Sequence, residues 1–272
     1  MPMIAANGVS LYYELTGDTG DPLVLVHGSW VDHASWLAVV PGLSRNHRVL
    51  SYDRRGHSKS EKAQTQGSFD EDADDLSALL SELGLAPAHV VGNSAGSIVA
   101  LKLACRQPSA LRSLVIHEPP LLNLPGDDPR MTPLLKDGQR RAEAVRRMLE
   151  AGDAAGGARA FVETLAFGLG GWERLSSRLR ETFISNAGTW LDETNDPTGL
   201  TVDFGALERF RRPAMLTYGG KSPPFFRPIV EKVAGVIPGS RLESYPGDGH
   251  TPHISNPEEF GRRVNAFTAA SG

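Results

Sequence analysis

Ser94 is the residue of this sequence best placed to act as a nucleophile. It is the centre of the pentapeptide Gly92–Gly96, which follows the apolar run 88–91 and precedes a predicted helix over residues 98–106. A sharp turn from strand to helix needs small residues two positions from the serine, and it lifts the hydroxyl clear of the sheet edge. The free N–H groups of the helix favour negative charge beside that hydroxyl. A loop that merely closes a strand–helix unit has the same pattern, so the pentapeptide alone leaves both interpretations open.

A serine that attacks a carbonyl needs a base to take its proton, and histidine is suited to that task. The sequence has eight histidines: His27, His33, His47, His57, His89, His117, His250 and His253. The last two follow the final predicted strand, on a glycine-rich loop. We predict His250, directly after Gly249, as the base and His253 as a structural residue. A metal site at this pair is disfavoured, since no third ligand at useful spacing and no His-Glu-x-x-His motif accompanies it.

The negative oxygen that forms during such an attack needs N–H donors. The N–H of Ala95, next to the nucleophile, is the first predicted donor. The second should come from the loop after the apolar run Leu23–Val26, which reads His27-Gly28-Ser29-Trp30. We predict the backbone of Ser29 for this role, with the adjacent Trp30 as the alternative donor. An ordinary glycine turn remains the other interpretation of this loop.

The elements that must position these residues follow from the hydrophobic pattern. The run Leu23–Val26 is continuous, as in a strand covered on both faces, and Ser68 with Glu71 fits a helix capping box. Predicted strands cover residues 9–15, 23–26, 48–52, 88–91, 114–116, 214–218 and 241–245, and predicted helices cover 36–43, 69–83, 98–106 and 257–268. Strands alternating with helices predict an α/β fold with a doubly wound, mostly parallel sheet.

The alternation stops between about Leu121 and Arg212, where no strand-like run occurs. Segments near 131–151, 158–167 and 173–191 have helical patterns separated by glycine-rich breaks. Because strands resume at Ala214, we predict a helical cap over residues 121–211, inserted into a core formed by residues 1–120 and 212–272. A separate helical domain is the disfavoured alternative.

Composition limits the possible partners and compartments. A net charge of −4 and a pI near 6.1 predict neither nucleic acid nor an anionic membrane as partner. Cys105 is the only cysteine, which fits a reducing compartment, and neither a signal peptide nor a spanning segment is recognisable. We therefore expect a soluble, cytoplasmic protein that acts on a small molecule. No cofactor and no metal ion is implied, and the oligomeric state is left open.

Taken together, four motifs resemble those of the α/β-hydrolase superfamily. They are Gly92-Asn93-Ser94-Ala95-Gly96, His27-Gly28, Asp53-Arg54-Arg55-Gly56 and Gly249-His250. The resemblance covers roughly residues 5–120 and 212–268, and it implies the α/β-hydrolase fold with the triad order serine, acid, histidine. It implies little about substrate, since members include esterases, lipases, lactonases, C–C hydrolases, perhydrolases and dehalogenases. Dehalogenases and epoxide hydrolases of this superfamily carry aspartate as nucleophile, so Ser94 argues against both.

The triad acid departs from the usual pattern of this superfamily. Most members place it in a Gly-x-x-Asp segment after the strand equivalent to 214–218, which here ends Gly219-Gly220-Lys221-Ser222, and no Asp or Glu occurs from 209 to 230. Glu118, at the end of the strand after the nucleophile helix, is the predicted substitute. Some members use that position, including certain haloalkane dehalogenases and the lactonase that opens zearalenone, whose His-Glu-x-Pro rim looks similar.

Other carboxylates are weaker candidates for the triad acid. Asp248 lies too close in sequence to His250 to orient it easily. Asp53 is predicted to be structural, because such charged, glycine-containing loops more often fix the rim of the sheet. Glu118 itself has a plainer interpretation, as a rim carboxylate at the start of the cap.

The first functional hypothesis is a hydrolase that cleaves a carboxylic ester or lactone of small to medium size. An apolar pocket between core and cap is predicted from a set of aromatic residues, although each one alone is more often a core residue. The set comprises Trp30, Phe167, Trp190, Phe225 and Phe226. A C–C hydrolase or a cofactor-free perhydrolase with the same serine is the second hypothesis. The third is a catalytically silent ligand-binding module, as some hydrolase-like hormone receptors are.

Overall fold

One sheet forms the centre of the computed structural model, which describes residues 2–62, 65–124 and 129–271. Its strands are β1 (Met3–Ala6), β2 (Val9–Thr16), β3 (Asp21–Val26), β4 (His47–Tyr52), β5 (Ala88–Asn93), β6 (Leu111–His117), β7 (Ala214–Gly219) and β8 (Arg241–Tyr245). They lie in the order β1-β2-β4-β3-β5-β6-β7-β8. The β1–β2 and β2–β4 pairs are antiparallel and the others are parallel. The predicted doubly wound, mostly parallel sheet is therefore confirmed, with β1 as a strand that the prediction missed.

Helices cover both faces of this sheet. The helices of the core are α1 (Val40–Leu43), α2 (Phe69–Glu82), α3 (Ala95–Arg106), α10 (Phe226–Val236), α11 (Pro252–Ser255) and α12 (Pro257–Ala269). Successive residues of β3 point to opposite faces, so Val24 packs with α2, α3 and α10, whereas Leu23 packs with α1 and α12. The hydroxyl of Ser68 accepts a hydrogen bond from the N–H of Glu71 and caps α2, as the sequence predicts.

The described residues between β6 and β7 contain helices and no strand. These are α4 (Thr132–Glu150), α5 (Ala154–Phe161), a π-helical turn (Val162–Ala166), α6 (Gly171–Arg174), α7 (Ser177–Ser185), α8 (Ala187–Asn195) and α9 (Phe204–Glu208). The helix predicted over 173–191 is thus divided, and the one predicted over 36–43 becomes a 3-10 turn (His33–Trp36) followed by α1. Positions 1, 63, 64, 125–128 and 272 of the predicted domains lie outside the described residues.

The helical segment has its own apolar cluster, which is joined to the core by the loop after β3. Trp30, from the loop after β3, packs against Phe161, Phe183 and Trp190, at ring-centroid distances of 4.7, 5.9 and 5.5 Å. Trp30 and its partners thus join the helices to the loop that follows β3. Among the described residues, no helix is long and apolar enough to cross a membrane.

Candidate active site

Ser94 occupies the turn between β5 and α3 and has an unusual backbone. Its φ of 54° and ψ of −125° lie outside the regions that a non-glycine residue readily adopts, a strain that typically costs about 1–3 kcal/mol. The turn is so tight that only glycine fits two residues before and two residues after Ser94. A Cβ at Gly92 would lie 2.5 Å from the carbonyl oxygen of Gly96, and a Cβ at Gly96 would lie 2.1 Å from that of Val26. The requirement for small residues, inferred from sequence, therefore has a direct steric cause.

The side chain of Ser94 lies at the carboxyl edge of the sheet. The residue is only partly buried, and its N–H donates to the carbonyl of His117 at the end of β6, at 2.9 Å. Loop 28–31, which follows β3, passes directly beside it, since a Cβ built on Gly28 would lie 3.1 Å from Cβ of Ser94. The structure thus brings together the serine and the loop that holds the predicted N–H donor Ser29.

Glu118 and His250 meet at the same edge of the sheet. Oε2 of Glu118 lies 2.6 Å from Nδ1 of His250, and Oε1 accepts a hydrogen bond from the N–H of Gly219 at 2.7 Å. Glu118 is fully buried and has a positive φ of 49°, so its carboxylate is held in one direction. The contact leaves Nε2 as the ring nitrogen of His250 that can accept a proton.

Two further residues fix the position of His250. The side-chain amide of Asn93 donates to its carbonyl oxygen at 2.9 Å. The ring of Phe226 stacks on the imidazole, with centroids 4.7 Å apart and planes inclined by 21°. Asn93 directly precedes Ser94 in the sequence, so this hydrogen bond connects the histidine loop to the nucleophile turn.

The surroundings of Glu118 favour its ionised form. Burial would raise the pKa of this carboxyl, but the hydrogen bonds from His250 and from the N–H of Gly219 oppose it, and the pKa is held below its usual value. Burial lowers the pKa of His117 to about 4, so that ring is neutral at pH 7. A buried carboxylate beside one imidazole can hold the tautomer and stabilise the imidazolium that forms on protonation.

The competing residues of the sequence analysis have other partners. The carboxylate of Asp248 accepts from the hydroxyl of Ser255 at 2.7 Å and from the amide of Asn256 at 3.3 Å. His253 is buried and packs against Trp36, with ring centroids 4.2 Å apart. The buried hydroxyl of Ser222, where most members of the superfamily have the acid, has no hydrogen-bond partner among the described residues.

Loop 28–31 is held by side chains from the helical segment. The hydroxyl of Ser29 donates to Oε2 of Glu193 at 2.5 Å. Trp30 has a φ of 69°, which is strained for a bulky side chain. The side-chain amide of Asn186 donates to the carbonyl oxygens of Trp30 and Val31, at 3.3 and 3.1 Å. Since these contacts span more than 150 residues of sequence, no local pattern could have identified them.

A buried charge network lies beneath this loop. Nη2 of Arg54 lies 2.6 Å from Oε1 of Glu193 and 3.0 Å from Asp72. Burial raises the pKa of Glu193, and burial together with the charge of Asp75 raises that of Asp72 to about 7, although Arg54 opposes both shifts. Two carboxylates therefore share one guanidinium. Arg54 also lines a cavity of about 20 Å³, which is enough for one water molecule.

Asp53 belongs to a separate hydrogen-bonded group. Its carboxylate accepts from the N–H groups of His33 and Lys59, at 2.8 and 3.1 Å, and contacts the His33 ring. Asp32, His33 and Asp53 form the one group in the described chain whose ligand atoms lie close enough to hold a metal ion. The Asp32 carboxylate in turn accepts from Ala34 and Ser58. These internal bonds account for the cluster as a structural support of the rim, so we propose no metal site there.

The predicted substrate-binding residues occupy different environments. Trp30 and Trp190 are buried in the same aromatic cluster, and Phe225 packs against Phe226 with ring centroids 4.7 Å apart. Phe167 lies outside that cluster, and 43% of it is exposed. The structure therefore brings Trp190 next to Trp30 of loop 28–31 and does not group Phe167 with them. Their roles toward a substrate stay predictions.

Comparison with known proteins places the chain in a family. A model of the alpha/beta hydrolase family matches residues 23–263 of the 272. The chain therefore belongs to the alpha/beta hydrolase family.

Two solved structures have the same fold along nearly the whole chain. An esterase from Thermogutta terrifontis is 23% identical, with a TM-score of 0.76 over 100% of this chain and 99% of that one. Est816, described as an N-acyl homoserine lactone degrading enzyme, is 24% identical, with a TM-score of 0.74 over 98% of this chain and 100% of that one. At such identities these likenesses establish the fold alone.

The first curated relatives match over shorter stretches. The dihydrolipoyllysine-residue acetyltransferase component of the acetoin cleaving system of Pseudomonas putida is 42% identical over 103 residues, which are 38% of this chain and 28% of that protein. The chain covers between 28% and 44% of the length of the first curated relatives that it matches.

Proposed function

We propose that this protein is a serine hydrolase that cleaves carboxylic ester or lactone bonds through an acyl-enzyme on Ser94. The observation that supports it best is the 2.6 Å contact between Glu118 and His250, beside a strained and accessible serine. A carboxylate that engages Nδ1 directs the free Nε2 toward a proton donor, which is the arrangement that activates a serine hydroxyl. Ester and lactone bonds can both be cleaved by this arrangement.

The proposed reaction proceeds in two halves. The hydroxyl oxygen of Ser94 attacks the carbonyl carbon while His250 takes the hydroxyl proton, and Glu118 stabilises the resulting imidazolium. The N–H groups of Ala95 and Ser29 donate to the oxyanion. His250 then protonates the alcohol oxygen as the C–O bond breaks. A water molecule then attacks the acyl carbon while His250 takes its proton. The bond from the acyl carbon to the Ser94 oxygen breaks, His250 returns the proton to that oxygen, and the acid leaves.

The proposed substrate is small to medium in size and largely uncharged. Two predicted pocket residues, Trp30 of loop 28–31 and its neighbour Trp190, are aromatic and lie in an apolar cluster. Aromatic walls with few polar groups are typical of sites for apolar ligands. The names of two structural neighbours, an esterase and a lactone-degrading enzyme, agree with this substrate class.

A panel of p-nitrophenyl esters and lactones, run beside Ser94→Ala, tests the proposal. Wild type should turn over at least one class, and Ser94→Ala should lower kcat by a factor on the order of 10⁶. A fluorophosphonate should add once per chain, on the peptide that contains Ser94. Ser222→Ala is the matched control, since that buried hydroxyl has no partner among the described residues, and it should keep both activities. Labelling that survives Ser94→Ala, or a wild type inert to every probe, would contradict the proposal.

A further inference from the structure

One face of α8 carries three polar side chains that are buried against the core. Asn186, the residue that precedes α8, is followed at helical spacing by Thr189 and Glu193, with exposures of 0%, 9% and 9%. Positions three and seven residues on from the first lie on the same side of a helix. Because buried polar groups need partners, such a stripe indicates a specific docking surface.

Each residue of this stripe binds a different part of the core. Asn186 donates to the carbonyls of loop 28–31, and its own oxygen accepts from the N–H of Ser58 at 2.7 Å. The hydroxyl of Thr189 lies 3.0 Å from Nε2 of His57. Glu193 reaches furthest toward the predicted oxyanion donor, because it binds the hydroxyl of Ser29 at 2.5 Å.

Glu193 is itself held in place by the core. Its second oxygen lies 2.6 Å from Arg54, two residues after the end of β4, and Arg54 is also bound by Asp72. A hydrogen bond from a hydroxyl to an ionised carboxylate is shorter and stronger than a neutral one. Loop 28–31 needs such support, since Trp30 is held at a φ that a bulky residue rarely adopts.

We propose that Glu193 is a positioning residue that holds loop 28–31 against Ser94, so that the N–H of Ser29 points at the developing oxyanion. This inference rests on the proposed function, because it needs Ser29 to serve as an oxyanion donor. It assigns the helical segment a part in transition-state stabilisation. Glu193 of α8 binds the Ser29 hydroxyl, and this contact positions the Ser29 N–H.

A purely structural ion pair between Glu193 and Arg54 is the competing explanation, and kinetics separates the two. An oxyanion contact strengthens in the transition state, so its loss lowers kcat and leaves KM nearly unchanged. A structural pair would affect the melting temperature and leave kcat alone. Deletions of two groups that act as one unit are also not additive.

The experiment measures kcat, KM and melting temperature with p-nitrophenyl acetate. Ser29→Ala and Glu193→Ala should each lower kcat about 10- to 100-fold, less than the loss of a whole oxyanion donor, and the double variant should be no slower than either. In Glu193→Gln the one amide oxygen stays with Arg54, which can only donate, and the NH₂ group donates to the Ser29 hydroxyl, which can accept. Ser29 thus remains bound while the charge opposite Arg54 is lost, so this variant should melt lower yet keep kcat within about threefold of wild type. Thr189→Val, on the same face of α8, should melt lower with unchanged kcat.

The outcomes distinguish this inference from the function on which it rests. Ser29→Ala removes one hydroxyl from a loop and decides the matter even if Glu193→Ala fails to fold. An active wild type with unchanged kcat in Ser29→Ala, or with multiplying losses in the double variant, would overturn the inference alone. A wild type inert to both p-nitrophenyl acetate and the fluorophosphonate would overturn the proposed function, and the inference with it.

Discussion

Replacing Glu118 by glutamine tests the proposed acid by reversing the hydrogen-bond direction at His250. In the native site one carboxylate oxygen accepts from the N–H of Gly219 at 2.7 Å and the other faces Nδ1 of His250 at 2.6 Å. The glutamine amide has a single oxygen, which must stay at Gly219 because a backbone N–H cannot accept. The NH₂ group then faces Nδ1, so the ring proton moves to Nε2 and the imidazole can no longer accept the proton of Ser94.

The size of the loss follows from the charge as well as from the tautomer. A unit charge about 4 Å from the imidazolium contributes about 4 kcal/mol at an effective dielectric constant near 20. That free energy corresponds to a factor of about 10³ in rate. In the serine-protease template the equivalent change lowers kcat by about 10⁴, which includes the tautomer effect. We therefore expect Glu118→Gln to lower kcat about 10³- to 10⁴-fold.

The assay is steady-state turnover of a p-nitrophenyl ester, with thermal unfolding to show that the variant is folded. Asp248→Asn is the matched control, because its carboxylate binds Ser255 and Asn256 instead of His250. It should keep kcat close to that of wild type. If folded Glu118→Gln stays within about tenfold of wild type, or if Asp248→Asn shows the larger loss, then Glu118 is not the acid that orients His250.

Two predictions concern the fold around the site. Gly96→Ala should destabilise the protein by about 3 kcal/mol or more, because its Cβ would lie 2.1 Å from the Val26 carbonyl oxygen. Gly138→Ala, in α4, has open space around its Cβ and should stabilise the protein by about 0.5–1 kcal/mol. Thermal unfolding of both variants checks this prediction. Since the pKa of Glu118 is lowered in the folded state, its contribution to the free energy of unfolding is present near pH 7 and lost as the pH falls through the lowered pKa. The difference in unfolding free energy between wild type and Glu118→Gln should therefore shrink below about pH 4, and a difference that grows toward acid would contradict this reasoning.

The parts of the site that sequence could predict depend on local sterics and on strand order. The spacing of Gly92, Ser94 and Gly96 encodes a turn that larger residues could not make. The role of Glu118 as triad acid could be predicted because no acid follows β7 and because Glu118 lies at the end of β6. Both predictions require only residues that are neighbours in sequence and the rule that the carboxyl ends of parallel strands lie at a common edge of the sheet.

The missed parts depend on contacts between distant segments. Glu193 binds Ser29 across 164 residues, and Asn186 binds Trp30 across 156. The sequence does place Asn186, Thr189 and Glu193 at helical spacing, but polar residues at such spacing usually lie on the solvent-exposed face of a helix. Only the packing of α8 on the core shows that this face is buried, so the sequence predicted no contact between the helical segment and loop 28–31.

The end of β7 positions both the histidine loop and the triad acid through one residue, Gly219. The loop that carries His250 must cross the end of β7 to reach Ser94, and it passes so close that a Cβ on Gly219 would lie 2.5 Å from the carbonyl of Gly249. A side chain at position 219 is thereby excluded. The bare N–H of Gly219 instead donates to Glu118 from the adjacent strand. The glycine that lets the histidine loop approach also fixes the carboxylate that faces the histidine, so substituting Gly219 should disturb both residues together.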